Sequence, residues 1–166
     1  AHDKDVLYRR WNSSHGGVYV PVSEDTQPNP YLSDIVDRDV ITPSGTLLTM
    51  MNPAYMTRQV HELAKLETGV QGHITSLDPV RPENAADPWE TQALLAFEKG
   101  EMEYSSVEEM DGVSYLRFMR PLVTEEGCLD CHAAQGYREG DIRGGISVSV
   151  PMEPYSAIQR QPISLV

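Results

Sequence analysis

Cys128-Leu129-Asp130-Cys131-His132 lies between two stretches patterned as strands. Before it runs Ser114-Tyr115-Leu116-Arg117-Phe118-Met119-Arg120-Pro121-Leu122, and after it Gly144-Gly145-Ile146-Ser147-Val148-Ser149-Val150-Pro151. The first stretch alternates, with Tyr115, Arg117 and Met119 on one face and Leu116, Phe118 and Arg120 on the other; the second puts Ile146, Val148 and Val150 on one face. Period-2 alternation is the mark of a strand with two distinct faces. Two such strands around a short insert are expected to pair antiparallel, which ties the insert to a sheet rather than to a flexible tail. Upstream, residues 103–109 form a further extended segment, and Met110-Asp111-Gly112 turns it into the 113–122 strand as a hairpin.

The spacing Cys-x-x-Cys-His is the attachment pattern of a c-type haem: each thiol can form a thioether to one vinyl group of a porphyrin, and the adjacent imidazole reaches the iron. Cys128 and Cys131 are the only cysteines of the chain. A structural zinc site would want a second cysteine or histidine pair at short spacing, and none is present. A thioredoxin-like pair belongs at the end of an apolar strand entering a helix, whereas Glu125 and Glu126 precede this one. A plain disulfide or redox pair is the alternative reading of the same residues.

A chain of 166 residues suits one domain with a core large enough to bury most of a haem. Apolar residues at 40% and charged residues at 23% are ordinary for a soluble fold, and no run of about 18 apolar residues suggests a membrane span. The net charge of −12 argues against nucleic acid or an anionic membrane surface as partner. Covalent haem attachment takes place outside the bacterial cytoplasm, so the segment is expected to be periplasmic or otherwise extracytoplasmic. Either a signal peptide has been removed or the segment belongs to a longer inner-membrane protein. The apolar turn of Pro162-Ile163-Ser164-Leu165-Val166 suits the approach to a membrane helix, or simply a terminus.

In chain order, residues 1–14 carry Val6, Leu7 and Trp11 at helical spacing, and His15-Gly16-Gly17 stops the helix. Residues 18–22 are extended, 23–30 a proline-containing loop, and 46–51 a strand after the turn Thr42-Pro43-Ser44-Gly45. Asn52-Pro53 caps a helix carrying Ala54, Tyr55, Met56, Val60, Leu63 and Leu66, whose apolar face is expected to pack on a sheet, and Gly69 ends it. Residues 70–77 read as a strand containing His73. A loop follows from Arg81, and Asp87, Pro88 and Glu90 then open a capped helix over 89–98. Arg81 could reach a carboxylate such as a haem propionate, or form a surface ion pair. Met50 and Met56 are potential thioether ligands, although methionines at such spacing more often fill cores. The order predicts an α+β domain, residues 1–166 as one unit, with one antiparallel sheet, helices on one side and the Cys-x-x-Cys-His insert between the last two strands. That order is compatible with a PAS-like sensor fold.

Several motifs occur together: Trp11-x-x-x-His15-Gly-Gly-Val-Tyr, Asn52-Pro53-Ala54-Tyr55-Met56-x-Arg58-Gln59, Arg81-Pro82-Glu83-Asn84, Asp87-x-Trp89-Glu90, the Cys-x-x-Cys-His, and Gly140-Asp141-x-Arg143-Gly144-Gly145. In this order they resemble the haem-c-binding PAS-like sensor domains of the Tll-type DUF3365 family, extracytoplasmic input domains of bacterial histidine kinases, diguanylate cyclases and chemoreceptor-like proteins. The resemblance runs from Trp11 to Pro151. It implies one covalent haem c on Cys128 and Cys131 with His132 as proximal iron ligand. It also implies Arg81, Trp89, Tyr137 and Arg143 as further cofactor-binding candidates. Some relatives supply a cysteine from the first helix as the other axial ligand. This chain has none there, which leaves His15, Met56 or Met50 as the sixth ligand, or an open position that binds a gas.

The resulting expectation is a non-enzymatic sensor of redox state or of a diatomic gas (NO, CO or O2), passing its signal through terminal helices to a membrane-anchored kinase, cyclase or chemoreceptor output. A homodimer through the N-terminal helix is compatible with it. The alternative is a small monohaem cytochrome c carrying electrons to a redox partner. A peroxidase built on His15 or His73 with Arg58 or Arg81 is a third reading that no spacing singles out.

Overall fold

The computed structural model describes residues 2–155; most of the C-terminal segment 152–166, expected to lead toward a possible membrane helix, lies outside the described residues, as do the side chains of His2, Asp130 and Cys131. Helix α1 (His2–Ser14) leads into strand β1 (Val18–Pro21), followed by β2 (Asp39–Ile41) and β3 (Leu47–Met51). Helix α2 (Pro53–Thr68), strand β4 (Gln71–Thr75) and helix α3 (Pro88–Phe97) come next. The hairpin β5 (Tyr104–Met110) and β6 (Val113–Val123), the single helical turn α4 (Leu129–His132) and β7 (Ile142–Pro151) complete the domain. The α+β class and the antiparallel pairing around the insert are as expected. The single sheet is not: the strands divide into a three-stranded sheet, β1-β3-β2, and a four-stranded sheet, β4-β7-β6-β5.

Local chemistry accounts for most element ends. Asn52 caps α2 through the Tyr55 amide and Gly69 closes it at φ 73°. Asp87 and Glu90 form a reciprocal capping box on α3, with Pro88 in the first turn. The β5–β6 hairpin turns on Asp111 (φ 51°) and Gly112 (φ 77°), both in the left-handed region that a two-residue turn matched to sheet twist requires.

The helices lie on both faces of the four-stranded sheet, which corrects the one-sided arrangement. On one face α3 buries Trp89, Ala93, Leu94 and Phe97 against Met119 of β6. On the other, Ala54 of α2 packs on Ile74, Leu122 and Ile146. Ile74 and His73 are neighbours in β4, and Ile146 and Ser147 in β7, so strand alternation sends each to the opposite layer. A sheet with a helix on each side needs no water-facing side, and accordingly no residue of β7 is exposed.

Helices α1 and α2 turn a different stripe inward from the one their apolar periodicity suggests. Leu7 (60% exposed), Trp11 (55%), Val60 (55%), Leu63 (54%) and Leu66 (86%) face outward. The surface where α1 meets α2 and β3 is polar and buried: Arg9 donates to Thr57 Oγ1 at 3.0 Å and to the Pro53 carbonyl, and Asn12 Nδ2 donates to the Met51 carbonyl at 3.1 Å. Specific hydrogen bonds to buried groups outweigh the gain from covering those apolar side chains, because an unmet buried polar group costs ~1–3 kcal/mol.

Under α3 lies a buried ionic cluster. Glu90, 1% exposed, receives Ser147 Oγ at 2.5 Å and His73 Nδ1 at 3.0 Å, while Arg117 bridges to Asp87 at 2.7 Å and stacks 4.2 Å from the Trp89 ring centre. The hydrogen bond to Glu90 raises the His73 pKa against the opposing effect of burial. Burial works to raise Glu90, but the bonds from His73, Ser147 and the Asp87 amide overcome it and hold the carboxyl below its ordinary range. A raised histidine stabilises the fold fully below its unfolded pKa and loses that contribution as pH rises through the folded one; a lowered carboxylate contributes above its unfolded pKa and loses it as pH falls. The pair therefore contributes most between the ordinary values of 4.5 and 6.5. Denaturant midpoints are expected to fall as pH rises above that window, and His73→Gln is expected to remove that fall; equal pH slopes for the two proteins would refute the role.

Candidate functional site

Between β6 and β7 the chain makes a compact insert whose ends are pinned together. Thr124 N donates to the Asp141 carbonyl at 2.8 Å, Gly140 N donates to the Thr124 carbonyl at 2.9 Å, and Val123 pairs with Ile142. Within it Glu126–Cys128 and Ala133–Gln135 are 3-10 turns flanking α4. The two cysteines and His132 thus occupy consecutive turns of helix at the end of the four-stranded sheet. Helix α1 lies against this insert: Arg10 ion-pairs with Glu125 and Ser13 Oγ donates to the Gly127 carbonyl at 3.3 Å.

His132 is held from both ring nitrogens. Nδ1 lies 2.5 Å from Gln135 Oε1, and Gln135 is anchored in turn by its amide on the Asp78 carbonyl at 3.0 Å. Nε2 lies 3.1 Å from Arg143 Nη1. A guanidinium can only donate, so Nε2 is the acceptor and Nδ1 carries the proton, which it donates to Gln135. Burial first, and then the Arg143 charge, push the imidazole pKa down. The ring is therefore neutral at pH 7, with its Nε2 lone pair presented and its orientation fixed through Nδ1, the arrangement in which histidines ligate metals.

His132 lines a cleft of about 370 Å³, within the size range of small-molecule sites. Its apolar wall includes Leu32, Ala54, Ile74 and Leu122; its polar wall includes Arg58, Arg81, Gln135 and Arg143. Tyr137 stands edge-on to His132 with ring centres 6.4 Å apart. Cys128 is half-buried and free, its Sγ accepting the Glu125 amide at 3.4 Å, while the Cys131 thiol lies outside the described residues. Arg9 approaches from α1, almost wholly enclosed; burial and then the nearby Arg143 lower its pKa to about 10, so it stays charged at neutral pH.

Of the residues singled out by sequence, His132, Arg81, Tyr137 and Arg143 converge on the cleft. His15, Trp89, Met50 and Met56 are not brought to it. His15 is exposed at the end of α1, with Nδ1 2.8 Å from the Trp11 carbonyl and its ring 4.6 Å from the Trp11 ring. Trp89 belongs to the α3 core, its Nε1 donating to Ser106 Oγ at 2.7 Å. Met56 Sδ receives Asn12 Nδ2 at 3.8 Å, and Met50 sits in β3 opposite Tyr19. Gln135 escaped the sequence reading, although its position three residues after His132, one helical turn on, carried the signal.

An α+β domain with two antiparallel sheets, and a neutral, doubly held histidine in a cationic cleft beside a Cys-x-x-Cys-His turn, defines the class. The Tll0287-like family model matches residues 9–151, and the chain belongs to that family. The crystal structure of the cyanobacterial heme-protein Tll0287 shares the fold, with a TM-score of 0.58, 17% sequence identity and coverage of 90% of this chain and 89% of that one. No curated protein matches.

The close approach of β7 to β4 at the cleft sets a sharp steric limit. A Cβ on Gly144 would stand 2.2 Å from the Thr75 carbonyl oxygen, a backbone atom with no room to retreat. Gly144→Ala is expected to destabilise the domain by ~1–3 kcal/mol in denaturant melts. A change under 0.5 kcal/mol would mean that β4 and β7 stand farther apart.

Proposed function

We propose that this domain binds one haem c in the cleft and serves as an extracytoplasmic sensor of redox state or of a diatomic gas. The observation that carries the reading is His132: neutral, its Nδ1 fixed by Gln135 and its unprotonated Nε2 engaged only by the Arg143 guanidinium, a bond that an iron ligated there would displace, next to a Cys-x-x-Cys pair. The residues fit such a group in three further ways. Cys128 is a free thiol. The cleft wall joins apolar side chains to guanidiniums, which suits a porphyrin with two carboxylates. Arg143 Nε is buried with no partner, and a bound anion would relieve it. The name of the structural relative, a heme-protein, supports the same cofactor.

In this reading Cys128 and Cys131 hold the haem covalently and His132 ligates its iron. Arg58, Arg81 and Arg143 supply positive charge around it. A bound haem supplies one-electron chemistry or a gas-binding position. The protein's own contribution is mechanical as well as electrostatic. Arg10 and Ser13 join α1 to the segment that carries both cysteines, so a shift of that segment is transmitted to the N-terminal helix. The output, a membrane-anchored kinase, cyclase or chemoreceptor, lies outside this chain in this proposal, and the domain itself is non-enzymatic. The second reading, a monohaem electron carrier, would leave α1 indifferent to oxidation state.

Protein made with the c-haem attachment machinery is expected to retain haem through denaturing electrophoresis, and Cys128→Ala with Cys131→Ala to lose it. Absence of covalent haem in the unsubstituted protein would sink the proposal. Ferric and ferrous spectra with carbon monoxide and nitric oxide then divide gas from redox sensing, since only an open or labile sixth position takes up gas. Hydrogen exchange over residues 2–14 is expected to change on reduction or gas binding in a sensor; identical exchange in all states would favour the carrier.

A further inference from the structure

A second cavity of about 230 Å³ opens between α2 and β4 beside the first. The two share one wall, made of Arg58, Ile74, Arg81 and Asn84. On the far side of that wall α2 presents His61, Glu62 and Lys65, which with Arg58 form one helical stripe at spacings of three and four. The floor depends on the absence of a side chain at Gly72, where a Cβ would come within 2.4 Å of His61 Cγ. His61 Nδ1 is buried with no partner.

The cations here are only partly matched by carboxylates. Arg81 is partly matched, with Nε 3.4 Å from Glu83 and Nη1 donating to Asn84 Oδ1 at 3.3 Å. Among the described residues Arg58 forms no ion pair with a carboxylate; its guanidinium stands over the Tyr55 ring at 5.0 Å, half-buried beside the like charge of Arg81, with Glu62 and Glu83 acting on it only at longer range. Lys65 adds a third cation against the single carboxylate of Glu62. A chain of net charge −12 has carboxylates to spare, yet none meets Arg58. A desolvated guanidinium with its planar fork free is the side chain best suited to receive a carboxylate bidentately.

We propose that Arg58 and Arg81 form a carboxylate-binding site at the wall between the two cavities. The carboxylate comes either from a propionate of the haem proposed for the first cavity, a source that rests on the function proposed above, or from a small free dicarboxylate seated in the second. His61 and Lys65 reach only the second cavity, so they serve the free ligand alone.

The test uses haem-loaded protein in four forms: unsubstituted, Arg58→Gln, Arg58→Lys and Lys65→Gln. Each is titrated with succinate by calorimetry and its haem midpoint potential and propionate resonance Raman bands are recorded. For the propionate source, Arg58→Gln lowers the midpoint, since a cation favouring the reduced haem is gone, and shifts the propionate bands; Lys65→Gln and succinate change nothing. For the free source, the unsubstituted protein binds succinate one to one. Arg58→Gln and Lys65→Gln then weaken it by about tenfold or more, ~1.4 kcal/mol, with the midpoint unchanged. Arg58→Lys, which keeps charge but loses the fork, gives a smaller effect in the same readout and decides the matter if Arg58→Gln does not fold. Variants at Arg58 that alter neither readout overturn the proposal. Should no haem attach, the function proposed above fails on its own, and succinate binding with its loss in Arg58→Gln still decides this site.

Discussion

The antiparallel ladder between β6 and β7, from Tyr115 opposite Pro151 to Val123 opposite Ile142, is the constraint on which the rest depends. It brings together the two ends of an insert that would otherwise cost closure entropy with no return. The Thr124–Asp141 and Gly140–Thr124 bonds continue the ladder for one further step beyond the strands. As a result α4 starts from a fixed base, and the position of His132 is set by the sheet rather than by the loop. The register shift between Leu122 and Val123 marks the point where the ladder gives way to the insert, a common use of an irregularity at a sheet's end.

From that base two layers follow. One face of β4, β6 and β7 meets α3, and there every buried cation has an acid: Arg117 with Asp87, His73 with Glu90. Such a network, satisfied except at Arg117 Nε, fixes a packing arrangement at little net gain in stability, because desolvation offsets most of the attraction. The other face meets α2 and the cleft. The Gly144 contact with Thr75 draws β7 tightly onto β4 there, so that Ile74, Ile146 and Leu122 make a thin apolar floor.

Much of this was readable in the residues. The Asn52 and Asp87 caps, the Asp111-Gly112 turn, the alternation of residues 115–120 and the position of Cys-x-x-Cys-His between two strands are local signals, and local signals survive folding. What failed was mainly the reading of which helix stripe faces inward, although Ala54 of α2 and the Ile146–Val148 face of β7 do meet as expected. The stripe Val60, Leu63 and Leu66 has the right period for a buried helix face, yet period alone does not say which of two stripes finds partners. Here the partners are Arg9 for Thr57 and Ile74 for Ala54, contacts between residues far apart in sequence. The placement of α3 opposite α2 was hidden for the same reason, since alternation in β7 assigns Ile146 and Ser147 to different layers without saying what covers each. Within the site, Arg81, Tyr137 and Arg143 came from motif resemblance, while the spacing of Gln135 from His132 hinted at their contact but not at its anchor on Asp78, far away in sequence.

The contrast between the two faces separates a core from a site. On the α3 face the hydrogen-bonding and charge requirements of Glu90 are met within the chain and Arg117 has Asp87 as its acid, although Arg117 Nε has no partner. On the cleft face Arg143 spends one donor on a histidine nitrogen and keeps Nε buried and unmet, Arg9 is lowered by burial and by Arg143, and Arg58 has no carboxylate partner. Arg9 beside Arg143 and Arg58 beside Arg81 oppose folding, since guanidiniums there are partly stripped of water next to a like charge. Under the function proposed above, a bound anionic group offsets that cost. In that reading the group carries carboxylates, has an apolar body for the Ile74 and Leu122 wall, and takes the Nε2 lone pair of His132 in place of Arg143.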